Sequence, residues 1–259
     1  MRLVILLCFM FLVTLFGIDR KSFFKDIKSE EFIAIGYDDY QKGYQYFLDI
    51  LKNKDTNNLN FEIEKYNEYI IIKDKNKKGF GAYIIKNSGK HFLQMPHCRY
   101  DRYTCSIGWK IFFENNFNGV AFSTAHRYNN QFSDMAHTKY NYFTAITKAF
   151  TEFKPKELII QIHGFGKSNI KDTDIIVSSG SKNPSKYAKD INICLNDIGF
   201  KSKLYGKDIY TLGATTNSSN KLLKSMGKNK FIHLELSLDT RKKLLKSKKI
   251  RKRVAKCLK

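Results

Sequence analysis

The chain has 259 residues, which is enough for one domain with a full apolar core and too short for two comfortable ones. Lysine and arginine number 46 against 24 aspartate and glutamate residues, and the formal net charge is +22. A field of this strength favours an anionic partner, such as nucleic acid, acidic lipid, a cell-wall polymer or an acidic substrate, without choosing among them. The sequence has no CxxC pair, Walker A loop or GxGxxG, so it gives no sign of a nucleotide-binding or dinucleotide-binding protein.

An apolar run at the start of the chain predicts export. Residues 3–17 are almost entirely apolar and follow Arg2, which is the pattern of a secretory signal peptide. We therefore expect residues 1–20 to be a signal peptide or an uncleaved anchor, and the protein to be periplasmic or secreted. Cys98 and Cys105 could pair across a short loop, although the number and spacing of the cysteines do not define a disulfide framework.

The two ends of the remaining chain differ from its middle. Residues 21–90 predict a small N-terminal α+β extension packed on the main domain, with a helix near 38–53 and strands in YIIIK (69–73) and GAYIIK (81–86). The last 19 residues carry 11 cations, and their apolar positions permit a basic, partly amphipathic helix. Residues 246–259 are thus predicted to be a basic tail, either solvated or in contact with a membrane surface or polyanion.

Residues 91–245 predict the catalytic domain. Short apolar runs alternate with amphipathic stretches, which is typical of an α/β fold with a mostly parallel, mixed sheet flanked by helices, of the phosphorylase/hydrolase-like kind. Strands are predicted at 91–95, 119–124, 157–162, 174–179, 202–206 and 231–237, and helices near 106–116, 138–153, 185–198 and 217–226. In such sheets the working side chains collect beyond the carboxyl ends of the strands.

Imidazoles and carboxylates stand at the ends of three of these strands. His97 and Asp101 share the loop after the first strand, and His163 directly follows the third. In FIHLELS the period-two alternation places His233 and Glu235 on one face of the last strand. A glutamate buried there needs a charged partner, and imidazole and carboxylate are ordinary zinc ligands. The placement predicts a catalytic metal site at this edge of the sheet.

The residue types also suggest a mechanism. Two imidazoles and one carboxylate leave zinc an open position, where water becomes acidic enough to attack a carbonyl near neutral pH. Glu235 would take the proton from that water as general base, and Arg127 would hold a substrate carboxylate. Three other residues in the Arg127 loop could line the substrate pocket, orient the ligands or hold a second metal: His126, Asp134 and His137.

The order PHCRYD, QIHGF and FIHLELS, followed by Arg241, resembles the zinc hydrolases of the carboxypeptidase A superfamily, especially the N-formylglutamate amidohydrolase and poly-gamma-glutamate hydrolase branches. The resemblance covers about residues 90–245. It implies one zinc ion and the catalytic base Glu235, with the ligands His97, Asp101 and His163.

Three positions depart from the family's pattern. The first ligand pair is spaced His-x-x-x-Asp rather than His-x-x-Glu, and Gln161 stands where many relatives carry Asp, so the hydrogen-bond support of His163 must differ. The loop AHRYNNQFSDMAH also lacks the Asn-Arg pair with which relatives grip carboxylates. The expected substrate therefore stays a class, an anionic amide or peptide-like compound, with His233 as a further substrate-binding residue beside Glu235.

Two other functions fit parts of the sequence. Cys98 adjoins His97 and could act as a nucleophile, although adjacent side chains rarely face one another productively. A cationic protein that binds nucleic acid or an anionic surface polymer on a hydrolase scaffold is favoured by interleaved tyrosine and basic residues, as in CRYDRYT. The survival of His97, His163 and Glu235 in one chain favours the enzyme instead.

Overall fold

The computed structural model describes residues 19–56, 59–166 and 170–259. The leader predicted from the sequence lies outside them, except for its last two residues. None of the described helices combines the length and the apolar character needed to cross a membrane. The described elements are α1 Arg20–Asp26, α2 Tyr37–Leu51, β1 Phe61–Tyr66, β2 Tyr69–Asp74, β3 Ala82–Lys86, β4 Lys90–Met95, α3 Thr104–Glu114, β5 Phe117–Phe122, α4 Tyr142–Phe153, β6 Ile159–Gly164, β7 Ile175–Ser178, α5 Lys186–Asp197, β8 Ser202–Leu204, α6 Ser218–Ser225, β9 Phe231–Leu236, α7 Leu238–Lys246 and α8 Lys248–Cys257.

The nine described strands form one mixed sheet in the order β1-β2-β3-β5-β4-β6-β9-β7-β8. Its centre is parallel, because β4 pairs in parallel with β5 and β6, and β6 pairs in parallel with β9. The pairs β1–β2, β2–β3, β3–β5 and β7–β9 are antiparallel. The carboxyl ends of β4, β6 and β9 therefore meet at one edge, as the predicted α/β fold requires.

Helices cover both faces of the sheet. Phe92 and Leu93 are consecutive and fully buried in β4, yet they belong to separate apolar cores on opposite faces. One core contains side chains of α3, α5, α7 and α8, and the other contains side chains of α2, α4 and α6. This double coverage explains why the central strands are apolar runs instead of alternating ones.

The predicted α/β class is confirmed, and the predicted strands and helices correspond to described elements with shifts of a few residues at their ends. The strand β1 was not expected. Only Phe61 of its six residues is buried, because it is an edge strand with most side chains in solvent, so its sequence FEIEKY lacks an apolar run. Strands β1 to β3 continue the central sheet.

The basic C-terminal segment folds as two helices whose apolar face is covered by the protein itself. Ser247 ends α7 and caps α8, accepting a hydrogen bond from the backbone nitrogen of Ile250. Val254 and Leu258 are buried, and Cys257 is joined to Cys194 of α5 by a disulfide. Only the cationic face of α8 remains available to a partner.

One buried arginine fixes this docking. Arg251 is 3% exposed, and its Nε and Nη2 donate to the Glu114 carboxylate of α3 at 2.8 and 2.5 Å. Its Nη1 donates to the carbonyl of Leu244 at 2.6 Å. The guanidinium therefore ties α8 to both α3 and α7.

Replacing Arg251 with methionine should lower the free energy of unfolding by about 3–5 kcal/mol, because Glu114 would be left without its buried partner. Urea denaturation measures this loss. The matched control is Arg253→Met on the exposed face of the same helix, where a change within about 0.5 kcal/mol is expected. Equal, small effects of both substitutions would contradict the proposed docking.

Candidate metal centre

Three predicted ligands converge beyond the ends of β4 and β6. His97 and Asp101 lie in the loop after β4, and His163 lies near the end of β6, which pairs in parallel with β4. The two Nδ1 atoms of His97 and His163 are 3.0 Å apart, and Oδ2 of Asp101 lies 3.4 Å from the first and 3.5 Å from the second. All three residues are at most 5% exposed.

These distances fit a four-coordinate cation. Zinc bonds of about 2.0–2.2 Å in tetrahedral geometry separate neighbouring ligand atoms by about 3.3–3.6 Å. The spacing of His97, Asp101 and His163 lies close to that range, so their donor atoms can share one ion without rearrangement of the backbone.

A chain of buried amides sets the protonation of His163. The carbonyl of Phe143 can only accept, so Nε2 of Gln94, 3.4 Å away, donates to it, and Oε1 of Gln94 then accepts from Nε2 of Gln161 at 2.9 Å. Oε1 of Gln161 is thereby turned toward His163, and it also accepts from Nδ2 of Asn217 at 2.7 Å. Nε2 of His163 must donate to that oxygen, 3.2 Å away, so Nδ1 carries no proton and presents a lone pair.

Two neighbours set the protonation of His97 in the same way. Nε2 of His97 donates to Oδ1 of Asp134 at 2.9 Å, and Nη1 of Arg127 lies 3.1 Å from Nδ1. Arginine can only donate, so Nδ1 of His97 must accept from Arg127 and also presents a lone pair. Two lone pairs and a carboxylate facing one another in a buried site favour a cation between them, so this cluster is a candidate metal centre.

The titration behaviour follows from these contacts. Burial, followed by the charges of His233 and His97, lowers the pKa of His163 to about 4, so its imidazole is neutral. Burial alone would lower the pKa of His97, but the carboxylates of Asp101 and Asp134, which accept hydrogen bonds from its protonated ring, outweigh burial and leave that pKa raised, so a cation in the cluster competes with a proton on Nδ1. Burial opposes ionisation of Asp101, yet the neighbouring imidazoles of His163 and His97 hold its pKa below the usual range.

Glu235 faces the cluster from β9. It pairs in register with His163, and it lines the same cavity of about 470 Å³ as the three ligands. Its Oε1 is 3.2 Å from Nε2 of His233, whereas Oε2 is buried and has no hydrogen-bond partner among the described residues. Nδ1 of His233 is likewise buried and has no hydrogen-bond partner among the described residues. His233 and Glu235 both line the cavity, so they share one face of the strand, as the alternation predicted.

The loop after β5 contributes unequally. Arg127 lines the cavity and forms an ion pair with Asp134, while its Nε has no partner among the described residues. His137 lies exposed at the cavity edge, with Nδ1 3.5 Å from Oγ1 of Thr216. His126 does not line the cavity, and its exposed ring packs against tyrosines 5.6 and 5.8 Å away. Of the roles left open by the sequence, the contact of Asp134 Oδ1 with Nε2 of His97 fits that of orienting a candidate ligand.

Arg241 braces the loops that carry the ligands. Its Nη1 donates to the carbonyl of Arg102, next to Asp101, and its Nη2 donates to the carbonyl of Phe165, both at 2.8 Å. A Cβ atom on Gly164 would lie 2.5 Å from the guanidinium carbon, and the Gly164 nitrogen donates to Oδ2 of Asp101 at 3.1 Å. Only glycine lets the arginine, the strand end and the carboxylate meet.

Sequence reasoning missed the residues that act through other residues. Gln94, Asn217 and Gly164 have no catalytic chemistry of their own, and the chain places them far apart. The sequence contained one sign of this support. Gln161 is an amide where many relatives carry a carboxylate, so the hydrogen bonding behind His163 had to differ from theirs.

The protein has an α/β fold with a candidate metal centre at the carboxyl edge of its sheet. The chain belongs to the poly-gamma-glutamate hydrolase family, which it matches over residues 111–257. That stretch includes His163 and Glu235 and begins after His97 and Asp101. Membership in this family supports hydrolysis of amide bonds.

Solved structures give similar but distant matches. A zinc-free structure of YNDL is 17% identical, covering 69% of this chain and 87% of that one with a TM-score of 0.43. N-formylglutamate amidohydrolase from Ralstonia eutropha JMP134 is 8% identical, with 66% and 92% covered and a TM-score of 0.43. A candidate metallopeptidase from Shewanella denitrificans OS217 is 10% identical, with 89% and 95% covered and a TM-score of 0.41. Comparison with curated proteins gives no match.

Asp134→Asn should weaken zinc binding about 10- to 100-fold, because the amide no longer supplies the negative charge that strengthens His97 as a ligand. Competition with a chromogenic chelator measures the affinity. Asp172→Asn, at an exposed carboxylate paired with Lys201, is the control and should bind zinc like the wild type. Unchanged affinity in Asp134→Asn would show that the contact does not support the site.

Proposed function

We propose that the protein is an exported, zinc-dependent amidohydrolase that cleaves an amide or peptide-like bond in an anionic substrate, with Glu235 as general base. The observation that carries the proposal is the unpartnered Oε2 of Glu235, buried in the same cavity as a three-residue cluster with the donor set of zinc. Burying a carboxylate oxygen without a hydrogen-bond partner destabilises the fold, and groups of this kind are typically found at functional sites.

His97, Asp101 and His163 would hold the ion, since two imidazoles and one carboxylate match a catalytic zinc site with an open position. Bound zinc supplies the Lewis acidity that makes water nucleophilic near neutral pH. The neutral amide chain behind His163 and the carboxylate behind His97 hold the Nε2 proton of each ring and aim both Nδ1 atoms at one point. His163 is thus ready to bind without losing a proton, whereas on His97, whose pKa is raised, the ion takes the place of a proton.

Glu235 performs the proton transfers. Its Oε2 removes a proton from the attacking water and delivers it to the amide nitrogen as the carbon–nitrogen bond breaks, releasing an acid and an amine. His233 holds the other oxygen, at 3.2 Å, and so orients the carboxylate. Arg127 lines the cavity beside His97 and would meet a substrate carboxylate there.

The family name and the charge favour poly-gamma-glutamate or a related N-acyl acidic amino acid as substrate. Export is supported by the apolar run at residues 3–17 and by two disulfides, Cys98–Cys105 and Cys194–Cys257, since disulfides persist in oxidising compartments.

Glu235→Gln should reduce turnover by about 10²- to 10⁴-fold, because glutamine keeps the size and hydrogen bonding of the side chain but cannot accept the proton. Hydrolysis of poly-gamma-glutamate and of N-acylated glutamate and aspartate is the assay, with zinc content and melting temperature expected to stay at wild-type values. Glu62→Gln on the exposed face of β1 is the matched control. Near-normal turnover in Glu235→Gln would refute the mechanism, and unfolding would identify Glu235 as a structural residue.

Zinc analysis separates the enzyme from a binding protein on the same scaffold. We expect close to one zinc per chain, loss of activity after chelation and its return with added zinc, since the cluster offers a single three-ligand site among the described residues. Absence of zinc after careful purification, with undiminished polyanion binding, would favour the binding protein.

A further inference from the structure

A second cavity of about 620 Å³ adjoins the metal centre. Its size is within the range of ligand sites, about 300–1,000 Å³. It and the catalytic cavity share His137. We name it the tyrosine–lysine cleft, after the residues that give it its character: Tyr37, Tyr40, Tyr140, Lys139, Lys148 and Lys221.

Three helices build this cleft with one face each. Tyr37 and Tyr40 lie three residues apart on α2, and Lys148 lies four residues after the cleft residue Thr144 on α4. On α6 the cleft residues Ser218, Lys221, Leu222 and Ser225 recur with helical spacing. Residues three and four apart share a helix face, and α4 packs against both other helices, so the cleft is a rigid feature of the fold.

The start of α6 joins the cleft to the metal centre. Ser218, which lines the cleft, donates through both its backbone nitrogen and its hydroxyl to the carbonyl of Ala136, which lines the catalytic cavity. The preceding residue, Asn217, reaches Gln161 behind His163. The two cavities therefore adjoin each other at His137 and at the contact between Ala136 and Ser218.

The charged residues that line the cleft are all cationic. No aspartate or glutamate is among the described residues that line it, and none of its three lysines forms an ion pair with a described carboxylate. Lys139 and Lys221 are exposed, and Lys148 is half-buried over the ring of Tyr44 at 4.0 Å. The ring of Tyr140 packs 5.5 Å from the ring of Tyr37 and 5.5 Å from the ring of Tyr40, so the three tyrosines form one cluster in the cleft.

We infer that the tyrosine–lysine cleft binds the part of a carboxylate-bearing, amide-linked polymer that extends from the scissile bond, so that the enzyme acts on long anionic chains. This inference rests on the proposed function and extends it. Three lysines meet repeated carboxylates, and tyrosine hydroxyls meet the amide groups between them. A short substrate would end inside the catalytic cavity and gain nothing from the cleft.

The test is a triple variant, Lys139→Gln with Lys148→Gln and Lys221→Gln, which keeps side-chain length and helix propensity. The ratio of kcat/KM for long poly-gamma-glutamate to kcat/KM for a γ-glutamyl dipeptide should fall about tenfold, because three individually weak ion pairs are removed. The loss should appear in KM with kcat retained, since the lysines do not touch the reacting atoms.

The matched control carries the same charge change on the other side of the sheet, with Lys189→Gln, Lys249→Gln and Lys252→Gln on α5 and α8. It should retain the wild-type ratio. An equal fall in the control would show a general field effect, and an unchanged ratio in the cleft variant would show that the polymer does not use the cleft. Either result overturns the inference.

Direct binding separates this inference from the proposed reaction. Fluorescence anisotropy of labelled poly-gamma-glutamate should give a Kd about tenfold weaker for the cleft variant than for wild type and control, whether or not the chain is cleaved. If no substrate is hydrolysed but this difference stands, the proposed function fails and the cleft holds. If single-stranded DNA of equal charge competes as well as the polymer does, the inferred occupant is wrong.

Discussion

The rest of the structure depends on one electrostatic constraint, which is the approach of three electron-rich atoms in a buried space. The Nδ1 atoms of His97 and His163 and an oxygen of Asp101 lie 3.0–3.5 Å from one another. Without a proton or a cation between them these atoms repel one another, and burial removes the water that would screen the repulsion. The parallel pairing of β4 with β6 brings the two strand ends together, and the brace of Arg241 on both ligand loops keeps them there.

The two imidazoles are oriented by different means, and the difference has an electrostatic reason. Asp134 supports His97 with a charge, whereas Gln161 supports His163 with a neutral amide fixed by Gln94 and Asn217. The site already contains three carboxylates, Asp101, Asp134 and Glu235, against the guanidinium groups of Arg127 and Arg241. These groups leave a surplus of one negative charge, and the proposed divalent cation would change it to a surplus of one positive charge. An aspartate at position 161 would remove the positive surplus on which binding of the proposed anionic substrate depends.

The sequence contained the reacting groups but only part of their support. Strand ends could be located because apolar runs stop abruptly at His97 and His163, and alternation placed Glu235 on the right face. Gln94, Asn217 and Gly164 could not be found in this way, because an amide or a glycine becomes part of a site only through the residues that the fold sets beside it. The edge strand β1 and the bend at Ser247 were missed for a similar reason, since both are determined by packing and capping instead of by apolar periodicity.

The distribution of charge links the buried centre to the surface. Inside, Arg251 is matched by Glu114 and Arg127 by Asp134, so the buried cations are largely neutralised by neighbouring acids. The surplus that makes the chain +22 therefore resides in exposed lysines, and those beside the entrance at His137 have no carboxylate neighbours in the cleft they line. Surface charge of this kind costs little in stability because water screens it, yet it raises the local concentration of anions where the cavity opens. The ion-paired arginines hold the candidate site residues in place, and the unpaired lysines outside the site are free to act on the proposed substrate.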